Sequence, residues 1–313
     1  MHKWWAILFG VIMALAGLLF VVAPFIRGWW LPLNVATFGG AIDNLFYLIL
    51  GITGFFFVLT EVLLVYNIYR FHAQDGQKSD YVHGSHQLEM LWTFIPGAIL
   101  LFLALWQIPA WVEVKFQSQM PLPPDKNTQV MVVQARQWEW RVRYPNTRRL
   151  AAWDNGQEDP ADFYRKPRPD DVWVVNEIHA WKGDLNDTTT NKGKVLVYLE
   201  TRDVLHSFFL PNLRLKQDAL PGKTIPVWFK AFEANTHFDT SRQQWVDGHR
   251  WDAATNSWQK DDNYIWELAC AEYCGSRHSM MRGKFYVYPT KDDFLKWLAE
   301  AEKQAHATQP ETE

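Results

Sequence analysis

Cysteine is nearly absent from this 313-residue chain: there are two, Cys270 and Cys274. That excludes a small scaffold stapled by disulfides. No Cys-x-x-Cys-His occurs, so no haem is expected to be attached to this chain, and any electrons it handles must come from a separate carrier. An excess of basic charge is also missing. With 31 Lys and Arg against 34 Asp and Glu, the formal charge is -3, which leaves no footprint for nucleic acid. Long apolar runs are lacking from the last two thirds and crowd the first third. The mean hydropathy of -0.22 and the 21% of charged residues therefore describe neither of two parts, one membrane-embedded and one globular.

The membrane part contains three runs, Trp4 to about Val22, Asn44 to Tyr69 and Leu88 to Val112. Each is long enough for a hydrocarbon core, which takes roughly 20 helical residues. The first is long for a signal peptide and lacks a small-x-small cleavage site before Pro24, so a retained helix is expected. Tryptophans 4, 5, 29, 30, 106 and 111 fall where membrane interfaces would lie. Lys3 and the Arg70–Lys78 turn, with His72, His83 and His86 in and after it, place that side in the cytoplasm and the C-terminal portion outside it. Glu61, inside the second run, is a functional candidate as an ionisable group within a membrane. A snorkelling or subunit-paired residue is the plainer reading.

Both cysteines fall in Cys270-Ala-Glu-Tyr-Cys274-Gly-Ser-Arg-His278-Ser-Met-Met281. Thiolate, imidazole and thioether are soft or borderline donors that select copper over magnesium or calcium. Cys274, His278 and Met281 alone match the loop of a single-copper blue protein. Cys270 adds a second thiolate that can bridge two coppers and share one electron between them. Two other readings compete, a disulfide across three residues or two buried small hydrophobes. Neither accounts for the histidine and methionines that follow.

Cys-x-Glu-x-Cys-x-x-x-His-x-x-Met resembles the dinuclear copper (CuA) loop of subunit II of cytochrome c oxidase, in the haem-copper oxidase superfamily. The resemblance runs from about Asn44 to Tyr288, apart from two excursions. It implies a membrane-anchored α + β protein, with N-terminal transmembrane helices followed by a cupredoxin-like β-sandwich or barrel. It also implies a ligand set. Cys270 and Cys274 bridge the coppers, and His278 and His206 (in Asp203-Val-Leu-His206-Ser) give one imidazole to each. Met281, rather than the adjacent Met280, is the weak axial thioether, and the main-chain carbonyl of Glu272 is the other axial contact. The Glu272 carboxylate faces subunit I, where the family shares a magnesium ion.

Two more roles come from the resemblance. Gln137-Trp138-Glu139-Trp140 matches the aromatic segment whose first tryptophan receives electrons from docked cytochrome c, so Trp138 takes that part. A packed aromatic strand face is the plainer reading of these rings. Glu89, in Glu89-Met-Leu-Trp92, matches the glutamate at the cytoplasmic mouth of a proton channel through subunit I. It also suits a helix N-terminus on electrostatic grounds alone.

The expected organisation is residues 1–40 as an additional N-terminal transmembrane helix (or signal segment) and linker, and 41–116 as a two-helix hairpin. Residues 117–289 form the cupredoxin-like CuA domain, interrupted near 146–171 and 233–262, and 290–313 a C-terminal helix and tail. Alternation predicts strands over Trp138–Tyr144, Val172–His179, Lys194–Glu200 and Thr224–Phe232. Residues 146–171 are aperiodic and polar, read as a surface excursion. His237 and His249, in the second interruption, are read as surface residues rather than ligands. Thr290 caps a short helix with Phe294, Trp297 and Leu298 on one face, and the tail from about His306 reads as disordered.

The resemblance implies a subunit that accepts electrons from a c-type cytochrome and passes them to haems in subunit I. There oxygen is reduced to water and protons are pumped. Its partners would be subunit I, the other oxidase subunits, the donor cytochrome (free or within a supercomplex) and the bacterial inner membrane, with the copper domain periplasmic. The alternative is the CuA subunit of a nitric oxide reductase, since oxygen or nitric oxide is chosen in the partner subunit. A structural quinol-oxidase subunit would lack these ligands, and a free copper carrier would not need two membrane helices.

Overall fold

A hydrocarbon solvent offers no partner to backbone N–H and C=O groups, and a helix satisfies them internally. The apolar runs accordingly fold as helices in the computed structural model, which describes residues 2–26, 29–72, 76, 78, 81 and 83–308. They are α1 (His2–Val22), α2 (Gly39–Arg70) and α3 (His86–Trp106), the last continued by α4 (Ile108–Lys115). Three of the described helices are long and apolar enough to cross a membrane. Ser85 caps α3, its hydroxyl accepting from the N–H of Leu88, and Glu89 sits in the first turn. The Arg70–Lys78 turn lies partly outside the described residues, as does the end of the C-terminal tail (309–313).

The chain divides into two units, Met1–Leu31 with Ala41–Ala110, and Pro32–Gly40 with Trp111–Glu313. Residues 32–40 thus belong with the β-rich unit, although the sequence placed them with the N-terminal helix as a linker. Val35 donates to the carbonyl of Asn212, and Phe232 donates to Val35.

The β-rich unit is a sandwich of two five-stranded sheets. One has the order β3 (Val172–Val175), β2 (Glu139–Tyr144), β1 (Gln129–Arg136), β5 (Lys194–Thr201), β8 (Ile225–Lys230). The other runs β4 (Glu177–Trp181), β14 (Arg282–Tyr288), β13 (Trp266–Cys270), β6 (His206–Leu210), β7 (Leu215–Ala219). Alternation along each strand turns one set of side chains inward. Trp140 meets Phe208 and Phe229 meets Phe285 across the core, each edge-on at 5.6 Å between centroids. Both tryptophan and phenylalanine rings of these pairs are fully buried.

Three further expectations need correction. The single strand predicted over Val172–His179 is broken at Asn176, whose φ of 57° is left-handed. Asparagine tolerates that conformation. Its side chain accepts from the N–H of Trp140, and the chain crosses there from one sheet to the other. The C-terminal helix α6 (Lys291–Thr308) is longer than predicted and runs past His306. Its Trp297 stacks on the buried His179 at 3.7 Å.

The third correction concerns 146–171, which is not a surface excursion. It forms α5 (Thr147–Asp154) and folds back so that Trp153 and Phe163 join Val130, Val132, Leu196 and Tyr198 in one apolar cluster. Part of its charge is paired inside the fold. Asp171 is buried and pairs with Arg143 at 2.6 Å and Arg149 at 3.0 Å, and Arg149 also pairs with Glu158 at 2.7 Å. The second interruption forms two hairpins, β9 (His237–Asp239) with β10 (Gln244–Val246) and β11 (His249–Asp252) with β12 (Ser257–Lys260). There His237 is half-buried and stacks on Trp258 at 4.6 Å.

Removing one member of a buried ion pair costs about 3–5 kcal/mol, because the partner charge stays behind. Asp171→Ala should therefore lower stability by about that amount, read as a shifted urea midpoint. A midpoint unchanged from wild type would show that the two arginines do not depend on Asp171.

Candidate metal centre

Three connections converge at one end of the sandwich: the β1–β2 turn, the β5–β6 loop and the β13–β14 loop. The last of these carries both cysteines. Its stem is closed by Cys270 N–H donating to the Met281 carbonyl at 3.1 Å, and Ala271 N–H donates to Ser207 at 3.0 Å. β13 and β6 are paired so that Cys270 lies opposite Phe208, which brings His206, two residues earlier, up to the same end.

The donors then fall into a row. Cys270 Sγ is 3.8 Å from His206 Nδ1 and 3.9 Å from Cys274 Sγ, and Cys274 Sγ is 3.6 Å from His278 Nδ1. Cys270 Sγ also lies 3.3 Å from the Glu272 carbonyl oxygen, and Cys274 Sγ 3.8 Å from Met281 Sδ. Met281 is fully buried, whereas Met280 is 73% exposed and turns away. A metal 2.0–2.3 Å from each of its donors in a tetrahedral array separates them by about 3.3–3.8 Å, so the row has the spacing of ligands. The sulfurs are not joined, being free thiols and far beyond the disulfide length of about 2.05 Å.

The electrostatics separate the two sulfurs. Burial would raise the Cys270 thiol, but hydrogen bonds with His206 and the neighbouring main chain outweigh it and bring its pKa down to about 6. Cys274 is pushed up to about 12 by burial and by the charge on Cys270. A metal taking both sulfurs displaces the proton that the pair retains. Burial would lower His206, yet Cys270 and Asp203 raise it.

Trp138 and Gln137 lie beside the loop. The Trp138 indole donates to the Cys274 carbonyl at 3.2 Å and the Gln137 amide donates to the same oxygen at 2.8 Å. Arg277 covers the Trp138 ring at 5.9 Å. This approach needs a glycine at 275: its φ is 119°, and a Cβ there would meet the Gln137 amide at 3.1 Å and the Trp138 ring at 3.2 Å. Glu89 belongs to the helical unit and not to this cluster; its side chain is exposed, 3.8 Å from His86.

Sequence reasoning quoted Asp203 within a motif but gave it no role. Its Oδ1 lies 2.9 Å from His206 Nε2, and its Oδ2 accepts from the Gln137 N–H at 2.7 Å. A ligating histidine generally hands its other ring N–H to such a group, so a carboxylate three residues before the histidine was the available signal. Trp140, read only as part of an aromatic strand, sets its ring 6.2 Å from that of His206.

Residues 37–109 match the family model "Cytochrome C oxidase subunit II, transmembrane domain", and residues 129–243 match "Cytochrome C oxidase subunit II, periplasmic domain". The second match stops before Cys270, so the loop rests on its own donors. Among curated relatives, the chain is 27% identical to the alternative cytochrome c oxidase subunit 2 of Bradyrhizobium diazoefficiens, over 86% of this chain and 83% of that one. It is also 27% identical to cytochrome c oxidase subunit 2 of Thermostichus vulcanus, over 90% and 80%. A crystal structure of the periplasmic domain of cytochrome oxidase subunit II from Bradyrhizobium japonicum aligns at a TM-score of 0.34 and 20% identity, over 56% of this chain and 94% of that one. These descriptions lend nothing to the nitric oxide reductase alternative.

Asp203→Ala should leave the outer nitrogen of His206 unheld and weaken metal retention about 10- to 100-fold, measured by competition with a chelator on the full-length chain. Retention equal to wild type would detach Asp203 from the site.

Proposed function

The chain belongs to the cytochrome c oxidase subunit II family, and on that premise we propose that it accepts electrons from a c-type cytochrome and passes them to the haems of subunit I. There oxygen is reduced to water with proton pumping. It is a membrane protein with an extracytoplasmic domain; the membrane proposed is the bacterial inner membrane, with the donor docking on the periplasmic side.

One observation carries this reading: the donor row has two halves. Cys270, His206 and the Glu272 carbonyl form one, and Cys274, His278 and Met281 form the other. Each half supplies one sulfur, one imidazole nitrogen and one weak donor. A single ion needs neither the second imidazole nor the second sulfur, whereas two coppers sharing both sulfurs would use every donor. Bound there, a copper pair takes up and releases single electrons with the charge spread over both ions.

The remaining roles belong to side chains. Trp138, half-buried and hydrogen-bonded to the Cys274 carbonyl, is the proposed point of arrival for electrons from the donor. Asp203 and Gln137 hold His206 and the cysteine loop to that segment. Glu272 is proposed to turn its carboxylate to subunit I and a shared magnesium ion, and Glu89 to stand at the mouth of a proton path into subunit I.

Metal analysis of the purified oxidase should find two coppers on this subunit, and Cys270→Ser or Cys274→Ser should each abolish the pair. Met281→Leu should retain copper while shifting its potential, since a weak thioether donor tunes the potential of copper held beside it. Oxygen uptake driven by reduced cytochrome c should fall in Trp138→Ala with copper content unchanged. One copper per subunit, or nitric oxide consumption in place of oxygen uptake, would contradict the proposal.

A further inference from the structure

Trp138 stands among arginines that the fold leaves without counter-charges. Arg277 is exposed and lies over the Trp138 ring, its guanidinium carbon 5.9 Å from the centroid. Attraction between a cation and the face of an indole favours that position. Arg202 precedes Asp203 in the β5–β6 loop, and its N–H donates to Ala135 at 3.0 Å, which sets it beside the same turn. It too is exposed, and among the described residues neither arginine has a carboxylate partner. The carboxylates of this end are engaged. Glu139 is shared by Arg136 at 2.5 Å and Arg141 at 2.8 Å, two positive charges to its one. Asp203 is bound to His206 and to the Gln137 N–H. Glu267 pairs with Arg282 at 3.2 Å. Glu200 keeps its charge, but it accepts from the Gln134 amide and lies in the field of the buried Arg143. Glu272 is given to subunit I in the proposed function.

Between these charges the loops expose apolar surface. Tyr273 is 76% exposed, Met280 73% and Val204 39%. An apolar centre with a charged rim is the make-up of a docking patch, and the sign of the rim selects the partner. Guanidinium groups grip carboxylates with two parallel hydrogen bonds, whereas like charges brought face to face disfavour association. A donor ringed by lysines would set ammonium groups against Arg277 and Arg202. A donor ringed by Asp and Glu would meet them with opposite charge.

We propose, resting on electron entry at Trp138, that this end of the sandwich takes a c-type cytochrome whose haem edge is ringed by carboxylates. Its acidic groups pair with Arg277, Arg202 and the Arg136–Arg141 pair, and its apolar rim covers Tyr273 and Met280. Docking moves no atoms between the partners. One electron leaves the ferrous haem, which becomes ferric, and is taken up at the metal centre.

The test follows, by stopped flow at low salt, the oxidation of two reduced cytochromes by the complete oxidase. One is a cytochrome c with lysines around its haem edge, and the other is the same protein with those lysines changed to glutamate. The glutamate form should react about tenfold faster. Its rate should fall as salt rises, while that of the lysine form climbs. Arg277→Glu should reverse the preference. Arg202→Glu, which lies outside the cysteine loop, should reduce it, and copper content should be unchanged in both variants. Trp138→Ala should slow both cytochromes without altering which is preferred. A lysine form that reacts faster with wild type, or a preference that neither arginine reversal moves, would overturn the proposal and leave electron entry at Trp138 standing. Rates for both cytochromes that Trp138→Ala leaves at wild type would instead remove the entry point, and the proposal with it.

Discussion

The candidate metal centre depends on how β13 pairs with β6. Cys270 opposite Phe208 and Ala269 opposite Phe209 is the register that brings the end of one strand to the start of the other. A slip of one residue would turn Cys270 to the opposite face and carry His206 out of line. The register is fixed from both sides. Phe208 and Leu268 are buried inward-facing residues, and the hydrogen bonds from Ala271 to Ser207 and from Cys270 to Met281 close the last rungs. With the stem held, the eleven-residue loop can bring Cys274, His278 and Met281 back over Cys270 without strain on the strands. The short turn from His278 to Met280 then separates the two methionines, sending Met281 inward and leaving Met280 in solvent.

The rest of the β-rich unit braces that end with hydrogen bonds and ring contacts. Asp203 ties His206 to the β1–β2 turn, and that turn ties itself to the cysteine loop through Gln137 and Trp138. Three loops distant in sequence thus share one set of hydrogen bonds. Behind them, Trp140 packs between His206 and Phe208, so the ring plane of the histidine is supported by the core itself. For the proposed electron transfer such preorganisation matters, because ligands held in place contribute little reorganisation.

Much of this was legible before folding. The donors could be named because soft ligands are rare and their spacing is informative, and the membrane helices because apolar length admits few alternatives. Where sequence reasoning failed, polarity was the misleading signal. Residues 146–171 look solvated, yet Arg149 and Asp171 are buried because they satisfy each other. Such pairing is invisible until the chain has folded. Asn176 hid a change of sheet inside an apparently continuous strand, since alternation continues on either side of a single left-handed residue. Asp203 was in view within a motif, but its role comes from a contact with His206 Nε2 that spacing alone suggests and only geometry supplies.

Whether the two-halved donor row serves as one electronic unit is the central question. Electron paramagnetic resonance of the oxidised subunit within the intact oxidase addresses it most directly. One unpaired electron shared by two bridged coppers gives hyperfine splitting from two equivalent copper nuclei, and that is the predicted spectrum. Splitting from a single copper nucleus would contradict it.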